Sequence, residues 1–183
     1  MHSYQWIDSA DDLTDDIPAL VVEISRTDPF IGLPPDPTEN DVRELTARLR
    51  LGITSGRTHL LTIRAEDGTA VGCVALTQPP TANQRHIAEL TTGAVHPEHR
   101  GRGLVSRAFA EIARRCEQRG IELLRLDVRE GIPAERVWRQ FGFTEYGRLP
   151  DYGRVGAESY AGIYLAQPVA QLMNRISHQE AHA

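Results

Sequence analysis

The densest set of groups suited to holding an anion lies in Val95-His96-Pro97-Glu98-His99-Arg100-Gly101-Arg102-Gly103-Leu104-Val105. A strand pattern ends there, a glycine-containing loop follows, and a helical pattern begins. Helix N-termini expose unpaired N–H groups and the positive end of the helix dipole. Gly101 and Gly103 allow the backbone to approach a phosphate closely, and Arg100 and Arg102 add charge. Elsewhere the chemistry-bearing residues are sparse. Cys73 and Cys116 read as small buried residues rather than nucleophiles, and no spacing of His, Cys, Asp or Glu suggests a metal site.

The elements that must position this loop can be read from periodicity and punctuation. Tyr4 to Ile7 reads as a short strand. Ser9 and Asp12 have the spacing of an N-cap and its N3 acid, opening a helix that runs to about Arg26. Four prolines between Thr27 and Thr38 demand a loop, whose Phe30, Ile31 and Leu33 could form an apolar wall. Asp41 to Leu51 reads as a second helix. His59 to Arg64 and Val71 to Thr77 are strands joined by a Glu66-Asp67-Gly68 turn, and His86 to Val95 is a further strand. In the helix from Gly103 to Arg119, Val105, Phe109, Ile112 and Cys116 form an apolar stripe. Glu122 to Arg129 reads as a strand, Ala134 to Phe141 as a short helix, and Phe143 to Arg148 and Tyr160 to Leu165 as a final strand pair. This order predicts an α/β protein with a mixed sheet rather than a doubly wound one. The reading assigns residues 1–168 to one domain and 169–183 to a loosely ordered tail.

Composition narrows the classes. The chain has 183 residues, 40% of them hydrophobic, with a net charge of −5. These values argue against a fibre, a coiled coil and a disordered tail. No apolar run reaches the ~18 residues of a membrane span, and the acidic first sixteen residues lack a signal-like apolar segment. A cytoplasmic protein with no membrane partner is the expectation. All 20 basic residues are Arg. Codon bias explains that most simply, though Arg also suits bidentate anion contacts. The charge is unevenly laid out. Residues 1–56 carry eleven acids against four Arg, whereas residues 96–119 carry six Arg against three Glu.

The motif Arg100-x-x-Gly103-x-Val105, after a strand ending Val95-x-Pro97, resembles the acyl-CoA-binding motif of the GNAT superfamily of N-acyltransferases. Gly142-Phe143 matches that family's helix-to-strand Gly-Phe, and the element order matches over roughly residues 3–166. Asn83-Gln84-Arg85-His86, Leu126-Asp127 and Gly147-Arg148-Leu149-Pro150-Asp151-Tyr152 also resemble its small-molecule and toxin-resistance acetyltransferases. The resemblance implies a GNAT fold: a mixed, mostly antiparallel sheet, splayed at two central parallel strands and flanked by helices. It implies acetyl-CoA or another acyl-CoA as donor, held by Ala94, Val95, Arg100, Gly101, Arg102, Gly103, Leu104, Val105 and Ser106. It also implies direct attack by a small-molecule amine, without a covalent enzyme intermediate and without a metal.

Glu89, on the strand leading into the loop, is the candidate base, and His86 the second, an imidazole being suited to proton transfer near neutral pH. The sequence departs from the family pattern at three points. Val105 stands where Gly or Ala is usual, Gly131 where many members carry Asn, and Trp138 where the frequent Tyr acid would be. Trp cannot supply that proton. Tyr152, Tyr146 or Tyr160 would replace it, or the thiolate leaves unaided. Val105 leaves room for a second donor, the phosphopantetheine thioester of an acidic carrier protein in natural-product biosynthesis, met by Arg100, Arg102 and Arg107. A non-catalytic binding module is a further alternative. Nucleic acid is not expected as a partner, and a homodimer is allowed because many relatives form one.

Overall fold

A computed structural model describes residues 1–28 and 31–180 of the chain. Phe30, assigned above to the loop wall, lies outside the described residues. The elements are β1 (Ser3–Ile7), α1 (Asp16–Thr27), α2 (Glu39–Thr54), β2 (Thr58–Arg64), β3 (Ala70–Thr77), β4 (Ile87–Val95), α3 (Leu104–Arg119), β5 (Leu123–Arg129), α4 (Pro133–Gln140), β6 (Thr144–Val155), β7 (Glu158–Pro168) and α5 (Val169–Glu180). The strands form one seven-stranded sheet in the order β1-β2-β3-β4-β5-β7-β6. Among the described residues only β4 and β5 pair in parallel; the other pairings are antiparallel. This is the α/β GNAT fold that the resemblance implied.

Two cores sandwich the sheet. On one face, Ile17, Val21 and Ile24 of α1 and Leu45, Leu49 and Ile53 of α2 pack on Leu60, Cys73 and Ala75. On the other, α3 and α5 pack on Leu61, Val74, Leu76, Leu90, Leu124 and Leu126. Covered on both faces, β2 is buried at every position but its last, so it reads as a continuous apolar run. Aromatic contacts fasten α4 to α3: Phe109 meets Phe141 at 4.1 Å and Trp138 at 5.4 Å between ring centroids.

Three readings of the sequence need correction. The helix expected from Ser9 onward is instead a short 3-10 turn at Ala10–Asp12, followed by α1 from Asp16. Pro18 sits in the first turn of α1, and an earlier helix start would put it in the interior, where its missing N–H and its ring are costly. Strand β6 runs on to Val155 instead of stopping at Arg148. It is an edge strand, where Pro150 breaks no obligatory ladder. Over residues 169–180 the supposed loose tail is α5, with Val169, Leu172 and Ile176 buried at i, i+3 and i+7. That stripe docks the helix against α3.

Candidate functional site

The site originates in the way β4 and β5 separate. Their parallel pairing spans Ile87↔Leu123, Ala88↔Leu124 and Glu89↔Arg125, then ends although both strands continue. On its other side, β4 carries a bulge: Ala75 pairs with Thr91 but Cys73 with Ala94, so β4 has one extra residue. Thr92 adopts φ +53° within that bulge. A non-glycine residue there stores roughly 1–3 kcal/mol of strain, the kind of cost found at functional positions. The bulge bends β4 away from β5 and leaves its edge unpaired from Leu90 onward. Trp138 packs behind the bend; a Cβ placed on Gly93 would lie 3.4 Å from its ring.

A cavity of about 840 Å³ occupies the gap. Its donor end is the loop before α3. Gly101 and Gly103 have φ +74° and +73°, and a Cβ at either would meet nothing within 4 Å. Gly103 is the N-cap of α3, and no side chain caps the first turn. The first-turn N–H groups are therefore open to a ligand. Arg100 lines the cavity, its Nε donating to the Val95 carbonyl at 3.0 Å and a terminal nitrogen lying 3.6 Å from Asp28. Ala94, Val95, Gly101, Leu104 and Val105 also line it. Val105 is half-buried against the α3-side core, so its side chain follows the apolar stripe of the helix.

Other residues named for the donor lie further out. Arg102 turns back to the Glu98 carbonyl at 3.1 Å, and it, Gly103 and Ser106 lie outside the cavity wall. Arg107 stacks over the Tyr4 ring, 4.9 Å from its centroid. Its contact is with β1 rather than with the loop.

The other end of the cavity holds carboxylates and a phenol. Glu89 lines the wall, with an Arg125 nitrogen 3.8 Å from its carboxylate. His86 is exposed and outside the wall; it precedes β4 and offers its carbonyl to the N–H groups of Glu122 and Leu123. Glu89 and His86 are therefore not brought together. Tyr152 does reach the cavity, where its hydroxyl donates to Asp127 Oδ2. Burial and this carboxylate push the phenol well above its ordinary range. Tyr160 donates to Glu158 instead, and Tyr146 is exposed. The thiols of Cys73 and Cys116 are pushed up to about 12 by burial, which removes them as nucleophiles at neutral pH.

Asp127 is the functional candidate that the reading of single motifs passed over. Leu126-Asp127 enters the family resemblance without a role for the carboxylate, and the alternation Arg125, Asp127, Arg129 along β5 is its other local signal. Among the described residues, no group of three or more His, Cys, Asp or Glu side chains is placed to hold a metal. No described helix is long and apolar enough to cross a membrane.

This combination of a splayed parallel pair, a bulged strand and an uncapped glycine-led helix start defines a GNAT-type acyltransferase. The family model for the GNAT acetyltransferases matches residues 21–143, and the chain belongs to that family. No curated protein matches the sequence. Solved structures share the fold at low identity. A protein assigned as a phosphinothricin N-acetyltransferase superposes with a TM-score of 0.74 at 15% identity, covering 92% of this chain and 99% of its own. Mutant forms of the spermidine/spermine N-acetyltransferase of Vibrio cholerae give 0.68 at 15%, covering 96% and 99%. The Salmonella typhimurium protein yncA, assigned as an acetyltransferase and solved with its cofactor acetyl-CoA, gives 0.69 at 16%, covering 92% and 94%.

Proposed function

We propose that the protein transfers an acetyl group from acetyl-CoA to the primary amine of a small molecule. One observation carries the reading: a single cavity joins the uncapped start of α3 to the Glu89 carboxylate through the open edge of β4. The residues present suit the donor. Arg100 and the N–H groups following Gly101 and Gly103 would hold the pyrophosphate. The unpaired β4 edge from Leu90 to Val95 would offer backbone partners to the pantetheine amides. Val105 leaves the first turn accessible because its side chain packs inward.

The acceptor arrives as an ammonium and must lose a proton before it can attack. Glu89 takes that proton. The amine nitrogen then bonds to the thioester carbonyl carbon, and the C–S bond breaks as the tetrahedral species collapses. The nitrogen sheds its second proton to water, leaving an amide. The coenzyme departs as a thiolate, and a thiol of ordinary pKa of about 8.5 needs little help to leave. Tyr152, its proton held on Asp127, serves the acceptor side instead of protonating the sulfur. The reading assigns the protein to the cytoplasm.

Calorimetry with CoA and turnover of free acetyl-CoA against a panel of amines test the donor. Binding with turnover supports the proposal. Acylation from a carrier-loaded thioester alone, with no CoA binding, would replace it. Glu89→Gln tests the base: kcat should fall by ~10²–10⁴ and the rising limb of the pH–rate profile should change shape. A variant that keeps the parental kcat and limb excludes Glu89 from that role.

A further inference from the structure

The face of the sheet beyond Glu89 carries a second feature, which bears on the acceptor and rests on the proposal that an amine enters beside Glu89. Arg125 pairs across from Glu89, so alternation puts Asp127 and Arg129 on the same face of β5. The α1–α2 core packs on β1, β2 and β3 of this face, and does not extend over β5, β7 and β6. The uncovered part is far from featureless. A register break between Leu149 and Gly153, with Asp151 at φ +54°, swings Tyr152 back over the sheet. Asp151 is fixed in that backbone by side-chain bonds from Arg154 and Ser159. The Tyr152 ring rests on Gly162, where a Cβ would lie 2.4 Å from the ring, and its hydroxyl ends on Asp127. Such a build positions one carboxylate oxygen and leaves Oδ1 for a ligand.

From Tyr152 the aromatic surface continues outward. Its ring meets Tyr164 at 6.1 Å, nearly perpendicular, and Tyr164 meets Tyr146 at 6.1 Å. Tyr146 is 59% exposed, and its β6 neighbour Leu149 is 47% exposed. Leu51 of α2, 68% exposed, lines the cavity from above. Met1 aside, these three are the exposed large hydrophobic side chains among the described residues. They belong to elements bordering this one cavity. A carboxylate at the inner end of an aromatic track is complementary to a cation carrying an apolar body. Of the nearby cations, Arg125 lies 3.8 Å from Glu89, and Arg129, whose Nε packs beneath Gly153, lines the cavity beside Asp127. Arg129 and, on the α2 side of the cavity, Arg48 and Arg57 are the groups that would favour an anionic acceptor instead.

We propose that the acceptor is a primary amine with an aromatic or long alkyl body and no carboxylate. Its ammonium sits between Glu89 and Asp127, and its body lies along Tyr152, Tyr164 and Tyr146. Asp127 binds the acceptor, and Tyr152 is the positioning residue that aims it.

Three probes separate the contributions: 2-phenylethylamine, ethylamine, which lacks the ring, and L-phenylalanine, which adds a carboxylate. The full chain is assayed by thiol release at saturating acetyl-CoA, and 2-phenylethylamine binding is measured separately by calorimetry without donor. The kcat/KM for 2-phenylethylamine should exceed that of either other amine by ~10-fold or more, the scale of one buried aromatic contact. Asp127→Asn should raise the KM for 2-phenylethylamine by ~10-fold or more, as expected for loss of a charged hydrogen-bond partner, with the KM for acetyl-CoA kept. Tyr146→Ala, at an exposed position that folding tolerates, should shrink the ratio of 2-phenylethylamine to ethylamine by about 5-fold. Preference for L-phenylalanine, equal use of ethylamine, or an Asp127→Asn variant that binds and uses 2-phenylethylamine like the parent overturns the proposal. Absence of turnover with all three probes, together with no calorimetric binding of 2-phenylethylamine, does so too. Failure to bind CoA, with 2-phenylethylamine still bound by the parent and lost in Asp127→Asn, overturns the donor reading alone.

Discussion

Replacing Gly162 with Ala should destabilise the protein, although the same change in an ordinary strand would stabilise it. Gly162 lies within β7, paired with Arg129 on one side and Leu149 on the other. An alanine in such a place normally gains about 0.5–1 kcal/mol over glycine, because the unfolded chain has less freedom to lose. Here the new Cβ would stand 2.4, 2.7 and 2.8 Å from three carbons of Tyr152. Overpacking of that kind costs roughly 1–3 kcal/mol. If the ring swings out to relieve it, the hydroxyl leaves Asp127, and a hydrogen bond to a charged group is worth about 1.5–3 kcal/mol. Tyr152 is only half-buried, so the lower part of each range applies, and the net loss should be about 1–2 kcal/mol. For a chain of this size that is a fall in Tm of about 2–8 °C.

Urea unfolding of four proteins measures the effect: the parent, Gly162→Ala, Tyr152→Gly, which removes all three close carbons, and the double variant. The midpoint should fall at constant m in the single glycine variant. Without the Tyr152 side chain, the same alanine should stabilise by about 0.5–1 kcal/mol, so the coupling energy is about 1.5–3 kcal/mol. A neutral or stabilising Gly162→Ala in the parent, or an equal effect in both backgrounds, would refute the close approach of Tyr152 to β7.

Acid should loosen the joint between β1, β2 and α3. Burial draws the His59 imidazole below its ordinary 6.5, despite the Asp8 carboxylate 2.6 Å away, and its buried Nε2 has no partner. Burial raises the Asp8 carboxyl, but hydrogen bonds from His59 and Arg115 outweigh it and hold Asp8 below its ordinary value. In both cases the unfolded chain binds more protons, so stability is lost as pH falls, first below about 6.5 for His59 and then below about 3.9 for Asp8. His59→Gln should flatten the upper part of that slope in urea unfolding across pH 7 to 4; identical slopes would remove His59 from the explanation. Deleting residues 169–183 should cost far more than a loose tail would. Val169, Leu172 and Ile176 are buried, each worth about 1.5–3 kcal/mol, and their sum approaches the whole stability of a typical domain. The shortened chain should show no cooperative unfolding transition by circular dichroism, whereas a midpoint near that of the full chain would count against the packing role of α5.

How much of this could be read in advance depends on how local each feature is. The start of α3 was legible because its causes lie within a dozen residues: a strand end, two glycines with positive φ and an uncapped helical turn. Helix α2 was legible from the local spacing of Val42, Leu45 and Leu49, but its start, set by the Thr38–Asp41 capping box, lies two residues before the expected Asp41. The extent of β6 was not, because Pro150 reads as a stop unless the strand is known to lie at the edge of the sheet. The stripe in α5 was present in the sequence, but a short amphipathic segment at a chain end declares itself a helix only when something covers its apolar face.

By itself, the sequence determined the order of elements, the anion-ready loop and the family motif, because capping, glycine conformation and apolar periodicity act between near neighbours. Tertiary structure decided which residues share the cavity. It separated His86 from Glu89, turned Arg107 toward Tyr4, and carried Tyr152 across 25 residues of chain to Asp127. Those outcomes depend on the β4 bulge, on the point where β4 and β5 part, and on the register break in β6. Each of these is a relation between strands, set by how the twisted sheet packs against its helices, and no single segment carries it.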